Sequence, residues 1–285
     1  MSSLRARFAY PLTLLLLALA ASPGRAQAQD PEAPPGLDPG GPAVAIISTG
    51  LDYTDPVIAP RLARDGEGQP IAWDFVDNDQ KPHARDDGGD GTRLAKLILK
   101  LNDKVRIINV RVSRREPDML AKAAMFVART PARVAVIGVH PEEQVGWEQF
   151  AGVARQPAGH VLFVVPEGPP AAETGGSAYP VQLNLTNTLT AAPLANPGAQ
   201  GNGEEPASAD VLIRPRDITE GENKETVPAD SVEAAALFAG LAACLLYGLN
   251  IKDMGEAKAT LKESAVPAKE AGRENVYDPV CAKKE

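Results

Sequence analysis

The chain has 285 residues, 44% of them apolar, with 29 Lys and Arg against 37 Asp and Glu and a formal net charge of −8. That is enough for one large α/β domain, and the acidic balance argues against nucleic acid and anionic membrane surfaces as partners. Two cysteines and three scattered histidines (His83, His140, His160) make no zinc pattern.

The N-terminus reads as a secretory signal. Arg5 and Arg7 precede the apolar run Leu12 to Ala21, and Ala26-Gln27-Ala28 offers a small-residue cleavage site. The run is too short for a stable membrane anchor. The expectation is export to the periplasm or beyond, with residues 1–28 removed. Their loss takes away three arginines and no acid, so the remainder is more acidic still. Residues 29–42 follow as a Pro/Gly-rich linker without periodicity.

The domain is expected over residues 43–270. Val44 to Ile47 is a short continuous apolar run, hence a buried strand, and it ends at the small-residue turn Ser48-Thr49-Gly50. Ile71 to Val76 reads as a strand entering an Asp-rich turn. Leu94, Leu97, Ile98 and Leu101 recur at helical spacing, which predicts a helix over Thr92 to Leu101. Strands are expected at Val105 to Val112, Val134 to Val139, Val161 to Val165, Val181 to Leu189 and Val211 to Ile213. Helices are expected at Asp118 to Arg129, with Asp118 as cap, and at Glu142 to Ala154. Ser231 to Tyr247 is apolar nearly all round and reads as a buried central helix. Glu233 is expected at its exposed start, where a carboxylate suits the helix dipole. Lys258 to Lys262 falls in a last surface helix, Pro193 to Asp210 is a loop, and residues 271–285 form a polar tail. Strands alternating with helices in this way imply an α/β fold with a mostly parallel sheet covered on both faces. Cys244 lies on the apolar helix and Cys281 in the tail. Both readings stay open: a small core residue beside an unpaired tail thiol, or a disulfide made after export.

At this point several stretches resemble a known family in order. Val44-Ala45-Ile46-Ile47-Ser48-Thr49-Gly50-Leu51-Asp52-Tyr53 resembles the V-A-V-I-D-T-G-V-D-Y of subtilisin-like serine peptidases. Trp73 to Asp79 reads W-D-F-V-D-N-D, as theirs does, and Gly89-Asp90-Gly91-Thr92-Arg93 resembles G-H-G-T-H. Leu162 to Pro169 resembles L-F-V-V-A-A-G-N, and Ser231 to Leu246 resembles the helix that opens T-S-M-A. The resemblance implies a three-layer α/β/α sandwich. It also implies a Ser-His-Asp triad and an oxyanion asparagine, and at each of those places this chain differs. Ser48 stands at the aspartate position, Asp90 at the histidine and Pro169 at the oxyanion asparagine; Val232 stands at the nucleophile, or Ser231 if the register slips by one.

Magnitudes then decide the expected function. In subtilisin itself, removing the serine or histidine costs about a million-fold in kcat. Asp90, with an ordinary value of about 3.9, is a poor proton acceptor at neutral pH. Arg93, one helical turn along, is expected to keep it ionised. The expectation is an exported pseudopeptidase, with no catalytic residues, whose cleft binds or scaffolds a protein or peptide of the cell envelope. The alternative is a divergent serine endopeptidase that uses Ser231 or Ser48; one form of it, resembling the acid-active sedolisins, pairs Asp90 with Ser231. The stretch before the first strand is too short for the inhibitory folding domain many exported relatives carry, in keeping with the first reading. No cofactor is expected. Asp77, Asp79, Asp86, Asp87 and Asp90 are hard-oxygen groups of the kind calcium takes, but their spacing meets no calcium-loop rule, so a solvated turn is expected. Asn184-Leu185-Thr186 fits a glycosylation triplet, discounted because it falls in an expected strand.

Overall fold

The computed structural model describes residues 30–84, 89–155, 160–168, 185–194, 209–220, 223–251, 253–264, 276–278 and 280. The signal stretch, Asp86, Asp87, Pro169, Asn184 and Cys281 lie outside them. The chain separates into Met1–Asp30 and Pro31–Glu285, and the second unit carries the fold.

Ten strands and five helices are described. They run β1 (Ala43–Ser48), β2 (Ala72–Asp74), α1 (Gly89–Leu101), β3 (Arg106–Arg111), α2 (Met119–Val127), β4 (Val134–Ile137), α3 (Gln144–Ala154) and β5 (Leu162–Pro166). The order continues with β6 (Thr188–Pro193), β7 (Val211–Ile213), β8 (Arg216–Glu220), β9 (Asn223–Val227), α4 (Ser231–Leu246), α5 (Met254–Glu263) and β10 (Val276–Tyr277). Eight strands form one sheet in the order β10-β7-β6-β5-β4-β1-β3-β2, every pair parallel. The short apolar runs follow from this, because a strand covered on both faces has no polar side to show.

The pleat sorts each strand between two cores. Val44 and Ile46 of β1, Val134 and Val136 of β4, and Leu162 and Val164 of β5 pack with α1, α4 and α5. Ala45 and Ile47, Ala135 and Ile137, and Phe163 and Val165 pack with α2 and α3. Side chains that alternate across a strand dictate this division. Twelve of the sixteen residues of α4 are buried, six of them alanines. Small side chains let α4 and α1 approach closely: a Cβ added at Gly240 would lie 3.5 Å from Ile98 Cα.

Several boundaries differ from the sequence expectation. α1 starts three residues earlier, at Gly89. Asp118 sits before α2 but in helical conformation with no cap bond; its carboxylate instead pairs with Lys122 at 2.5 Å, a contact that helical i,i+4 geometry favours. Pro166 belongs to β5 and pairs with Ala191. β6 starts at Thr188 and runs on to Pro193. The antiparallel hairpin β8–β9 has no counterpart in the sequence expectation, since its strands are polar. The expected tail supplies β10, which is the sheet edge beside β7. The expected linker is fixed to the domain. Asp38 accepts from Arg106 Nη1 at 2.7 Å and from Arg64 N–H at 2.9 Å, while Tyr53 donates to Pro31 O at 2.6 Å.

Candidate functional site

From β1 the chain passes through β2 and α1 to β3 on one side, then crosses to β4 on the other. In open α/β sheets the crevice at the carboxyl ends of such strands is where ligands bind. Four features meet there: the turn after β1, the end of β4, and the first turns of α1 and α4.

Ser48 closes β1 and is fully buried. Its hydroxyl turns back on its own turn, donating to Gly50 O at 3.4 Å and accepting from Gly50 N–H at 3.2 Å. Gly50 has φ +109°, and a Cβ there would come within 2.9 Å of His83 O, so the turn requires glycine. Gly91 is equally constrained. A Cβ on it would lie 2.3 Å from Ser48 Oγ and 2.6 Å from Gly50 O. The first turn of α1 therefore rests directly on Ser48.

Asp90 is half-exposed. Thr49 Oγ1 donates to its Oδ2 at 3.4 Å, and Arg114, from the loop after β3, donates Nη2 to the same oxygen. Helical spacing made Arg93 the expected charge partner of Asp90. Arg93 instead donates Nε to Glu233 Oε1 at 2.8 Å and Nη1 to Glu225 Oε1 at 2.6 Å. Burial lowers the guanidinium value, but the two carboxylates outweigh that and raise it above the ordinary one. Position explains the switch. Arg93 is one turn into α1, on the side facing α4 and β9, whereas Asp90 lies at the helix start facing the loop after β3.

Glu233 is a second correction. It is buried, not at an exposed helix start, because it bridges two elements: one oxygen holds Arg93 and the other accepts from Ala229 N–H at 2.8 Å. Asp230 caps α4, its carboxylate accepting from Glu233 N–H at 2.9 Å. Together they form a capping arrangement, with the acid at the third helical position reaching back before the cap. Ser231 and Val232 occupy the first two positions of α4 and are partly exposed. Among the described residues neither Ser48 nor Ser231 shares a hydrogen bond with Asp90 or a histidine.

Two histidines have roles that local sequence did not signal. His83 forms a bridge with Leu51, puts Nε2 3.3 Å from Asp52 Oδ1, and stacks edge-on against Tyr53. His140, just past β4, stacks on Trp147. Burial holds His140 below the ordinary imidazole value, the nearby Arg114 charge adds to that, and Asp230 pulls the other way. Arg114, Asp230 and His140 come from three distant segments, so only the sheet order brings them together at the crevice.

Two acids of this region meet a guanidinium of the chain, and a third meets a backbone amide. Arg111 Nη1 bonds Asp77 at 2.7 Å and the fully buried Asp74 at 2.8 Å. Asp79 accepts from Lys81 N–H at 2.8 Å. Cys244 is disulfide-bonded and is half-buried near the end of α4.

No family model matches the chain, and no curated protein matches it. Solved structures do. A cold-adapted subtilisin-like serine proteinase aligns with TM-score 0.61 and 18% identity over 86% of this chain and 90% of its own. Fervidolysin from Fervidobacterium pennivorans, a keratinolytic enzyme related to subtilisin, aligns with TM-score 0.59 and 18% identity, over 85% of this chain and 42% of its own. A chain of the periplasmic assembly from the ESX-5 inner membrane complex aligns with TM-score 0.53 and 15% identity, over 85% of this chain and 79% of its own. Among the described residues no helix is long and apolar enough to cross a membrane. The all-parallel central sheet with helices on both faces is the subtilisin-like fold, which this chain shares with active proteinases at under 20% identity.

Proposed function

We propose that this protein is an exported, catalytically silent member of the subtilisin-like architecture, whose crevice binds a protein or peptide partner in the cell envelope. One observation carries the reading: the group at the place of the general base, Asp90, is a carboxylate ion-paired to Arg114. Proton transfer demands a base within hydrogen-bond reach of the nucleophile, and among the described residues Asp90 is bonded to Thr49 and Arg114 and to neither Ser48 nor Ser231. The first turn of α4 supports the same reading. Asp230 and Glu233 take up the Glu233 and Ala229 backbone N–H groups there, which are then not free to donate to a substrate. No metal or cofactor enters this reading, the Asp77 carboxylate being matched by Arg111.

The rival reading is a divergent serine peptidase with Ser231 as nucleophile; the partly buried, neutral-leaning His140 is the group that favours it. A fluorophosphonate probe separates the two. The proposal predicts no covalent labelling of the purified protein. Stoichiometric labelling that Ser231→Ala abolishes establishes the rival. Binding is tested by a photo-crosslinking residue placed at Val232: the proposal predicts a defined adduct from envelope extract that Arg114→Glu removes.

A further inference from the structure

A second concavity lies at the other end of the sheet. It has a volume of about 460 Å³ and is bounded by the starts of β1, β3 and β4 and by the end of α4 with the turn after it. This falls inside the range of about 300–1,000 Å³ common for small-ligand sites. It is separated from the crevice by the length of β1, six residues, or about 20 Å. One wall is apolar: Ala243, Leu246 and Leu249, with Tyr247 at the edge. Tyr247 is 63% exposed and Leu249 36%. Together they leave apolar surface open to water at the mouth of the cavity.

The opposite wall is cationic. Arg106 and Arg133 line the cavity, and among the described residues no Asp or Glu does, although the chain as a whole carries a net charge of −8. The two arginines differ. Arg106 is committed, donating Nε to Gly41 O at 3.2 Å and Nη1 to Asp38 at 2.7 Å. Among the described residues Arg133 spends one donor, from Nη2 to Ile251 O at 3.1 Å, and is exposed. A guanidinium has five N–H donors in a fork that suits a carboxylate. The carbonyl end of α4 faces the same space and repels an anion, which fixes the polarity of any occupant: acid head towards Arg133, apolar body along α4.

We infer that this cavity is a binding site for an aliphatic carboxylate, with the acid group on Arg133 and the chain against Ala243, Leu246 and Leu249. A free medium-chain acid and the C-terminal aliphatic residue of a peptide share that chemistry. The site does not depend on the crevice or on what the crevice binds.

Calorimetric titration of the whole protein tests it with four probes: decanoate and decanol below their aggregation thresholds, and acetyl-Gly-Leu-Leu as free acid and as amide. Binding of either acid at least about tenfold tighter than its neutral counterpart is the expected result, since a hydrogen bond to a charged group has about that worth. Preference for decanoate identifies a free acid as the source, and preference for the peptide acid identifies a chain terminus. Arg133→Gln, at an exposed position, removes the difference between acid and neutral probe. Tyr247→Glu, which sets a like charge at the edge, weakens the acid while circular dichroism and melting stay unchanged. Absence of binding by both acids, equal binding of neutral probes, or indifference to Arg133→Gln overturns the assignment.

Discussion

Replacing Glu233 by alanine removes the carboxylate that ties the start of α4 to α1. Two charge-assisted bonds go with it, Arg93 Nε at 2.8 Å and Ala229 N–H at 2.8 Å. Bonds to a charged group contribute about 1.5–3 kcal/mol each. The side chain of Arg93 is 35% exposed and keeps its second carboxylate, Glu225, so water and Glu225 recover part of the loss. Ala229 is exposed, so water recovers part of that bond as well. The expected cost is about 2–3 kcal/mol, below the roughly 3–5 kcal/mol seen when a fully buried pair is broken. For a domain of this size that lowers Tm by roughly 5–10 °C. Urea denaturation of the parent, Glu233→Ala, Arg93→Ala and the double variant measures it directly. The cycle is expected to return a coupling energy of about 1 kcal/mol. A Glu233→Ala cost within about 0.5 kcal/mol of zero, the range of ordinary surface changes, refutes the argument, as does a cycle with no coupling.

Three further outcomes follow from the same geometry. Gly91→Ala drives a Cβ to 2.3 Å from Ser48 Oγ and 2.6 Å from a backbone oxygen; the expected destabilisation is about 1–3 kcal/mol by urea unfolding, whereas Gly152→Ala, with open space around it, is expected to cost nothing. His140 is held below the usual imidazole value in the fold, so below about pH 6.5 the unfolded chain takes the proton first; stability is expected to fall as pH drops from there, and His140→Gln is expected to flatten that slope. The buried hydroxyl of Tyr277 donates to Leu261 O at 2.6 Å and its value is pushed up to about 12 by burial and the Asp210 charge; the unfolded chain loses its proton first above about pH 10, so stability is expected to fall from there upward, and Tyr277→Phe is expected to show less of that alkaline loss.

The sheet was legible in the sequence because its strands are covered on both faces. Val44 to Ile47, Val134 to Val139 and Val161 to Val165 are continuous apolar runs that admit little else. The hairpin β8–β9 was not legible, because Arg216, Asp217, Lys224 and Glu225 interrupt any apolar run, and among its residues of described burial only Ile218 and Val227 are buried. The positions of Ser48, Asp90 and the start of α4 followed from motif order. Their partners did not. Arg114 reaches Asp90 across 24 residues and Arg93 reaches Glu233 across 140. Charge pairs of that separation are set by which strands lie side by side, so local spacing is silent about them. The same holds for His140, whose neighbours come from the loop after β3 and the cap of α4.

The proposed catalytic silence of the crevice is tested most directly by hydrolysis. The purified protein is incubated with a diverse peptide library from about pH 3 to 8, the span over which a carboxylate or imidazole base titrates, and products are read by mass spectrometry. The account predicts no cleavage at any pH. Cleavage that survives purification and disappears in Ser231→Ala or Asp90→Ala contradicts it.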